Sequence, residues 1–168
     1  MAYDQHLRDA QPIRARCAVI TLSDTRTPES DKSGKRIREL LETEQHQVTR
    51  YQVIKDEPTV LHALLTELLA TDDLDAILTN GGTGVSRRDT TIEVVETHLN
   101  QTLPGFGELF RMLSFQEIGS GAMLSRALGG VARGKVVFAV PGSTAAVELA
   151  MAKLILPELK HLVGELRK

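Results

Sequence analysis

Two stretches of this sequence combine residue types at spacings suited to chemistry on a phosphorylated ligand. Gly81-Gly82-Thr83-Gly84 runs on through Arg87-Arg88 to Asp89. Three glycines around a threonine permit unusual dihedrals and a close approach of backbone to a ligand. The loop leads into a helical pattern, whose first N–H groups form an anion site. Arg87 and Arg88 could add charge-assisted bonds to phosphate. The same residues also read as a flexible turn with solvated arginines. Pro141-Gly142-Ser143 is a second tight turn between an apolar run and a helical pattern. Ser143 suits a helix cap or a ligand contact. A Walker loop would need Gly-Lys-Ser/Thr where Arg87-Arg88-Asp89 stands, and a dinucleotide fingerprint would need glycine at Arg87.

Two carboxylates stand beside these turns. Asp89 closes the glycine loop, and Asp56 precedes Pro58. Either could simply cap the helix that follows, since Asp is a favoured N-cap. Both also follow strand patterns, which would bring them to one edge of a sheet. Two carboxylates there could hold Mg²⁺, an ion that uses one or two carboxylates, waters and substrate phosphates. A carboxylate has two oxygens, so the roles are compatible. Ser23 follows the first strand pattern as an ordinary loop residue or a ligand contact. Ser114 lies in an apolar helical segment, where its hydroxyl could bond back to the helix.

The elements that must position these residues alternate. Strand patterns cover Cys17–Leu22, Val48–Ile54, Asp75–Thr79 and Val136–Val140. Helical spacing covers Lys35–Glu44, the stretch opened by Pro58, Thr90–Leu99, Phe106–Ile118 and about Thr144–Ile155, the last punctuated by Pro157. Short strands apolar on both faces, separated by helices, predict an α/β fold. A mostly parallel central sheet is covered on both sides. Ligands then sit outside the carboxyl ends of the strands. Residues 1–14 read as an N-terminal tail, disordered or packed on a neighbouring subunit, and residues 15–168 as a single domain.

Composition excludes several classes. The chain has 168 residues and a formal net charge of -2. It lacks the concentrated basic patch of a general nucleic-acid binder. No apolar run approaches the ~20 residues that cross a bilayer, and the N-terminus lacks a signal-peptide core. A cytoplasmic protein is expected. Cys17, the one cysteine, sits among apolar residues and reads as a buried strand thiol. His6, His46, His62, His98 and His161 show no zinc-type spacing with it or with each other, so no structural zinc site is expected.

Leu78-Thr79-Asn80-Gly81-Gly82-Thr83-Gly84, running on to Arg88-Asp89, resembles the glycine loop of the MoaB/MogA family of molybdenum cofactor biosynthesis proteins. So do the stretches from Pro104 to Phe115 and from Met123 to Ala127, and Pro141-Gly142-Ser143. The likeness runs in order from about Arg16 to about Leu162. It implies a three-layer α/β/α sandwich in trimers or hexamers. The implied activity is Mg²⁺-dependent adenylylation of molybdopterin by ATP, with pyrophosphate leaving and the product passing to a molybdate-insertion partner enzyme. Asp56 and Asp89 match the family's two magnesium-handling aspartates. Gly81, Gly82, Thr83 and Gly84 would line the nucleotide site, with Pro141, Gly142 and Ser143 opposite and Ser114 and Ser23 toward the pterin. Ser143-Thr144-Ala145-Ala146 is MoaB-like where some transferases have Pro and Lys, and Asn80 stands where Thr is common. The alternative reading is a non-catalytic molybdopterin-binding or assembly protein.

Overall fold

The computed structural model describes residues 2–168 and contains one six-stranded sheet. Strands β1 (Arg16–Leu22), β2 (Gln47–Ile54), β3 (Ala76–Asn80), β4 (Gln101–Thr102), β5 (Leu128–Ala132) and β6 (Lys135–Val140) lie in the order β2-β1-β3-β6-β5-β4. The first four in that order are mutually parallel, while β5 and β4 run antiparallel. Helices α1 (Ala2–Ala10), α2 (Lys32–Thr43), α3 (Pro58–Leu69), α4 (Thr91–His98), α5 (Pro104–Ile118), α6 (Thr144–Ala150) and α7 (Leu156–Leu166) surround it. The expected three-layer α/β/α architecture is what the chain adopts.

Side chains alternate across each strand. Cys17 and Val19 pack with Ile37 and Leu41 of α2, Phe106 and Phe110 of α5, and Met151, Ile155 and Leu159 of the C-terminal helices. Ala18, Ile20 and Leu22 pack with Leu61, Leu65 and Leu68 of α3 and Val95 of α4. Both faces are dry, which is why these strands read as apolar runs rather than alternating patterns. Burial pushes the Cys17 thiol up to about 12, so the sulfur is inert packing.

Three expectations need correction. The segment read as a tail is helix α1 over residues 2–10, lying against α7; Met1 is outside the described residues. Its Ala10 is buried, so one face has a partner that sequence spacing could not reveal. Pro157 does not end its helix. A π-helical stretch at Met151–Ile155 precedes it, with the Leu156 N–H donating to the Met151 carbonyl, and α7 continues to Leu166. A wider turn absorbs the proline's missing donor and ring. The glycine-containing β5 and the two-residue β4 were too short or too atypical to be seen as strands.

At the amino edge of the sheet, the Asp75 carboxylate accepts the Arg16 backbone N–H at 2.8 Å and the Arg16 guanidinium at 3.0 and 3.1 Å. Arg167 lies 3.0 Å away. Burial alone would raise this carboxyl, but the bonds from Arg16 and Arg167 outweigh it and hold it down to about 2. A carboxyl depressed on folding contributes stability above its unfolded value near ~4, and loses it as pH falls through the folded value. With partly exposed arginine partners, about 1–2 kcal/mol is expected. In urea titrations Asp75→Asn should be less stable than the parent at pH 7, with the difference shrinking between about pH 4 and pH 2. A constant difference across that window would contradict this assignment.

Candidate active site

The parallel register places the carboxyl ends of four strands at one edge. Leu22 pairs with Ile54, Thr21 with Asn80, and Asn80 with Val140. The loops that leave these residues are the four singled out by sequence. Between β1 and β3 the chain departs in opposite directions, the switch point where open α/β sheets form crevices.

The backbone at that point admits only glycine. Gly81 has φ +99°, and a methyl group there would lie 2.3 Å from the Leu22 carbonyl oxygen. Gly142 approaches from the other side, its own methyl position 3.1 Å from the Gly81 Cα. The resulting pocket, about 380 Å³, is lined by Ser23, Arg26, Gly81, Gly82, Thr83, Gly84, Asp89, Pro141 and Gly142 among others. Seven of the nine expected nucleotide and pterin positions converge here: Ser23, the four glycine-loop residues, Pro141 and Gly142.

Ser143, Ser114 and Asp56 do not line this pocket, although Asp56 packs against its Gly82. The Ser143 hydroxyl accepts the Ala146 N–H at 3.2 Å and caps α6. Ser114 is buried on α5.

Neither aspartate is spent on a cap. The N-cap positions are Glu57 for α3 and Thr90 for α4, and neither makes a side-chain cap bond. Asp89 instead folds back on its own loop, accepting the Ser86 N–H at 2.9 Å, with Oδ2 2.7 Å from a methyl position on Gly84. Bonds from Ser86, together with Arg126 nearby, hold its carboxyl below the usual range. Asp56 lies under the same loop, with Oδ1 2.6 Å from a methyl position on Gly82. Burial, then the negative charges of Asp89 and Asp24, raise its carboxyl. The pair thus splits, one acid held ionised and the other resisting ionisation, as expected for close carboxylates in a cleft.

Two buried oxygens beside Gly82 have no hydrogen-bond partner: Asp56 Oδ1 and Thr91 Oγ1. Unsatisfied buried acceptors are costly, and an oxygen-seeking cation is the kind of ligand that relieves such a set. Asp56, close enough to Asp89 to feel its charge, fits a Mg²⁺ ion on this ground.

Sequence reasoning missed three supporting residues. Arg126 donates to the carbonyls of Thr83, Gly84 and Asp89, at 3.0, 3.0 and 2.8 Å, and so fixes the glycine loop. Arg26 faces the pocket and donates to the Gly142 carbonyl at 3.1 Å, a bond that Ser33 reinforces at 2.7 Å. Thr91 was read only as part of a helix start. Of the two arginines expected to meet phosphate, Arg88 is otherwise engaged, bonding Asp24 at 2.8 Å and Glu57 at 3.2 Å. Only the position of Arg26 within the β1 loop hinted at its place.

A family model described as a probable molybdopterin binding domain matches residues 18–161. The chain belongs to that family. As a member of the molybdopterin-binding family, it is 53% identical to the molybdenum cofactor biosynthesis protein B of Halalkalibacterium halodurans, over 100% of this chain and 99% of that protein. A crystal structure of a molybdenum cofactor biosynthesis protein B superposes with TM-score 0.90 at 52% identity, covering 93% of this chain and 98% of the other. The tungsten cofactor synthesizing protein MoaB from Pyrococcus furiosus gives 0.83 at 34% identity, covering 94% and 99%. Among the described residues no helix is long and apolar enough to cross a membrane.

Two measurements test this geometry. In carboxyl NMR titrations Asp56 should titrate above the usual range, and Asp89→Asn should move its midpoint down; an unmoved midpoint would separate the two groups. Gly82, at φ +64°, would place a methyl 2.3 Å from Thr91 Oγ1. Gly82→Ala should therefore cost ~1–3 kcal/mol in urea unfolding, through a strained positive φ and the crowded acids.

Proposed function

We propose that the chain acts in molybdenum cofactor biosynthesis as a Mg²⁺-ATP-dependent molybdopterin adenylyltransferase, giving adenylyl-molybdopterin and pyrophosphate. The observation that carries this reading is that Asp89, from one loop, lines the pocket while Asp56, from another, packs against its Gly82, with Asp56 Oδ1 buried and unpartnered. Membership of a molybdopterin-binding family and the names of the relatives support the pathway.

The chain's own residues would act by positioning. Gly81 to Gly84 offer a backbone with no side chains to hold phosphates away. Arg126 keeps that backbone fixed, so little reorganisation is needed when charge develops on the α-phosphate. Arg26 brings a guanidinium to the pocket wall, a match for phosphate oxygens. Asp56 and Asp89 would hold Mg²⁺, which when bound neutralises phosphate charge and orients the leaving pyrophosphate. The terminal phosphate of molybdopterin is ionised at neutral pH and attacks the α-phosphorus as the bond to pyrophosphate breaks. No strong general base is required, and catalysis rests on alignment. Proposed partners are the two small substrates, copies of the chain itself and a molybdate-insertion enzyme that takes the product.

A second reading keeps the same pocket as a non-catalytic pterin-holding site. The commitment of Ser143 to capping α6, in a loop without Pro and Lys, favours it. Incubation with molybdopterin, ATP and Mg²⁺ separates the two. The transferase releases pyrophosphate, and Asp56→Ala or Asp89→Ala lowers turnover by ~10²–10³ with the fold intact. Pterin binding without pyrophosphate selects the second reading, and full turnover in both variants removes the aspartates from the mechanism.

Assembly is part of the proposal. Phe106 and Phe110 point into the core, but Leu109, Met112, Phe115, Ile118, Met123 and Leu124 are all exposed on α5 and the turn after it. An apolar face of this kind is suited to contact between copies. Light scattering at micromolar concentration should give a trimer or hexamer; a monomer would contradict this.

A further inference from the structure

Away from the pocket, the packing of α1 on α7 gathers groups that neither element holds alone. His6 comes from α1, and His161 and Glu165 come from one face of α7, a helical turn apart. His6 Nδ1 lies 3.2 Å from Glu165 Oε1, and His161 Nε2 lies 3.7 Å from the same oxygen. One ligand atom from each of the three falls within 4.8 Å of the others. The two imidazoles meet edge to face, 5.7 Å between centroids at 84°. Their nitrogens can thus approach a common point without the rings stacking.

We propose that His6, His161 and Glu165 form a Zn²⁺ site that ties the N-terminal helix to the C-terminal one. Tetrahedral zinc with bonds of about 2.0–2.2 Å holds its ligand atoms about 3.3–3.6 Å apart. The two distances to Glu165 bracket that range. Two neutral imidazoles and one carboxylate favour zinc over magnesium or calcium, which take all-oxygen sets. A supporting shell is present. His161 Nδ1 lies 3.1 Å from Glu158 Oε2, and the other Glu158 oxygen accepts the Tyr3 hydroxyl. A carboxylate on the far nitrogen fixes the tautomer that offers Nε2 to a metal. A hollow of about 200 Å³ beside these groups leaves room for a water as fourth ligand. Lys168, whose ammonium sits 2.5 Å from Glu165 Oε1, is the cation that zinc displaces.

Spacing in the sequence does not announce this site, because His6 and Glu165 are 159 residues apart. The competing candidate is the pair His62 and His98, whose ring nitrogens are 3.0 Å apart but which have no third ligand in the same group among the described residues. Helices α1 and α7 contribute no residue to the pocket that Asp89 lines, so the zinc site stands or falls separately from the transferase reading.

The test uses the full chain without an affinity tag, stripped with chelator, then titrated with Zn²⁺ by calorimetry and with Co²⁺ by visible absorption. One equivalent of Zn²⁺ should bind in the presence of excess Mg²⁺, and Co²⁺ should give the intense bands of tetrahedral coordination. His6→Ala and His161→Ala should each weaken zinc by at least ~10-fold, Glu158→Gln should weaken it by ~10–100-fold, and His62→Ala should leave it unchanged. His6 is exposed on α1, so its variant tests the site even if His161→Ala fails to fold. The proposal is overturned if the parent takes up no Zn²⁺, if His6→Ala binds as the parent does, or if the loss follows His62→Ala instead.

Discussion

The approach of three backbones at the switch point of the sheet governs this molecule. Gly81 must turn at positive φ with the Leu22 carbonyl where a side chain would be, and Gly142 closes on it from β6. Parallel pairing at full register makes that meeting unavoidable, since β1, β3 and β6 all end at the same level. With no side chains at the centre, the surrounding polar groups are drawn inward. Asp56 lies under Gly82, Asp89 against Gly84, and Arg126 across the loop's carbonyls. The pocket follows from backbone crowding before any ligand is considered.

That crowding has an electrostatic counterpart. Asp89 is stabilised as an anion by donors of its own loop, whereas Asp56 is buried with the charges of Asp89 and Asp24 nearby. Arg88 offsets some of this by bridging Asp24 and Glu57. Asp56 is therefore an acid whose charge its neighbours oppose more than they offset, a place suited to receiving a cation together with its anionic ligand.

Much of this was legible in the sequence, for reasons that differ by element. β1, β3 and β6 announce themselves because they are buried on both faces. The glycine loop and Pro141-Gly142 announce themselves because turns of this kind demand glycine. Asp56 and Asp89 could be named but not weighed, since capping and ligand binding use the same residue in the same place. Only the cap geometry, with Glu57 and Thr90 at the N-cap positions, separates the two. What stayed hidden depends on contacts between distant segments. Arg126 reaches the loop from 37 residues beyond Asp89, and α1 gains its meaning only from α7. Pro157 misled because the rule that proline stops a helix holds for α geometry and not for a π turn.

The rims of the sheet carry a last consequence. On one side the outermost strand, β4, has two residues. On the other, β2 is broken by a register shift opposite Cys17 and Ala18, and it carries Arg50 held by Asp73. A stunted strand and a bulged, charged one are both poor templates for backbone pairing with a foreign strand. Copies of this chain are therefore steered away from joining their sheets into a continuous ribbon. Its safeguard against fibrous aggregation lies in the shape of its borders, and any ordered association is left to side chains on its helices.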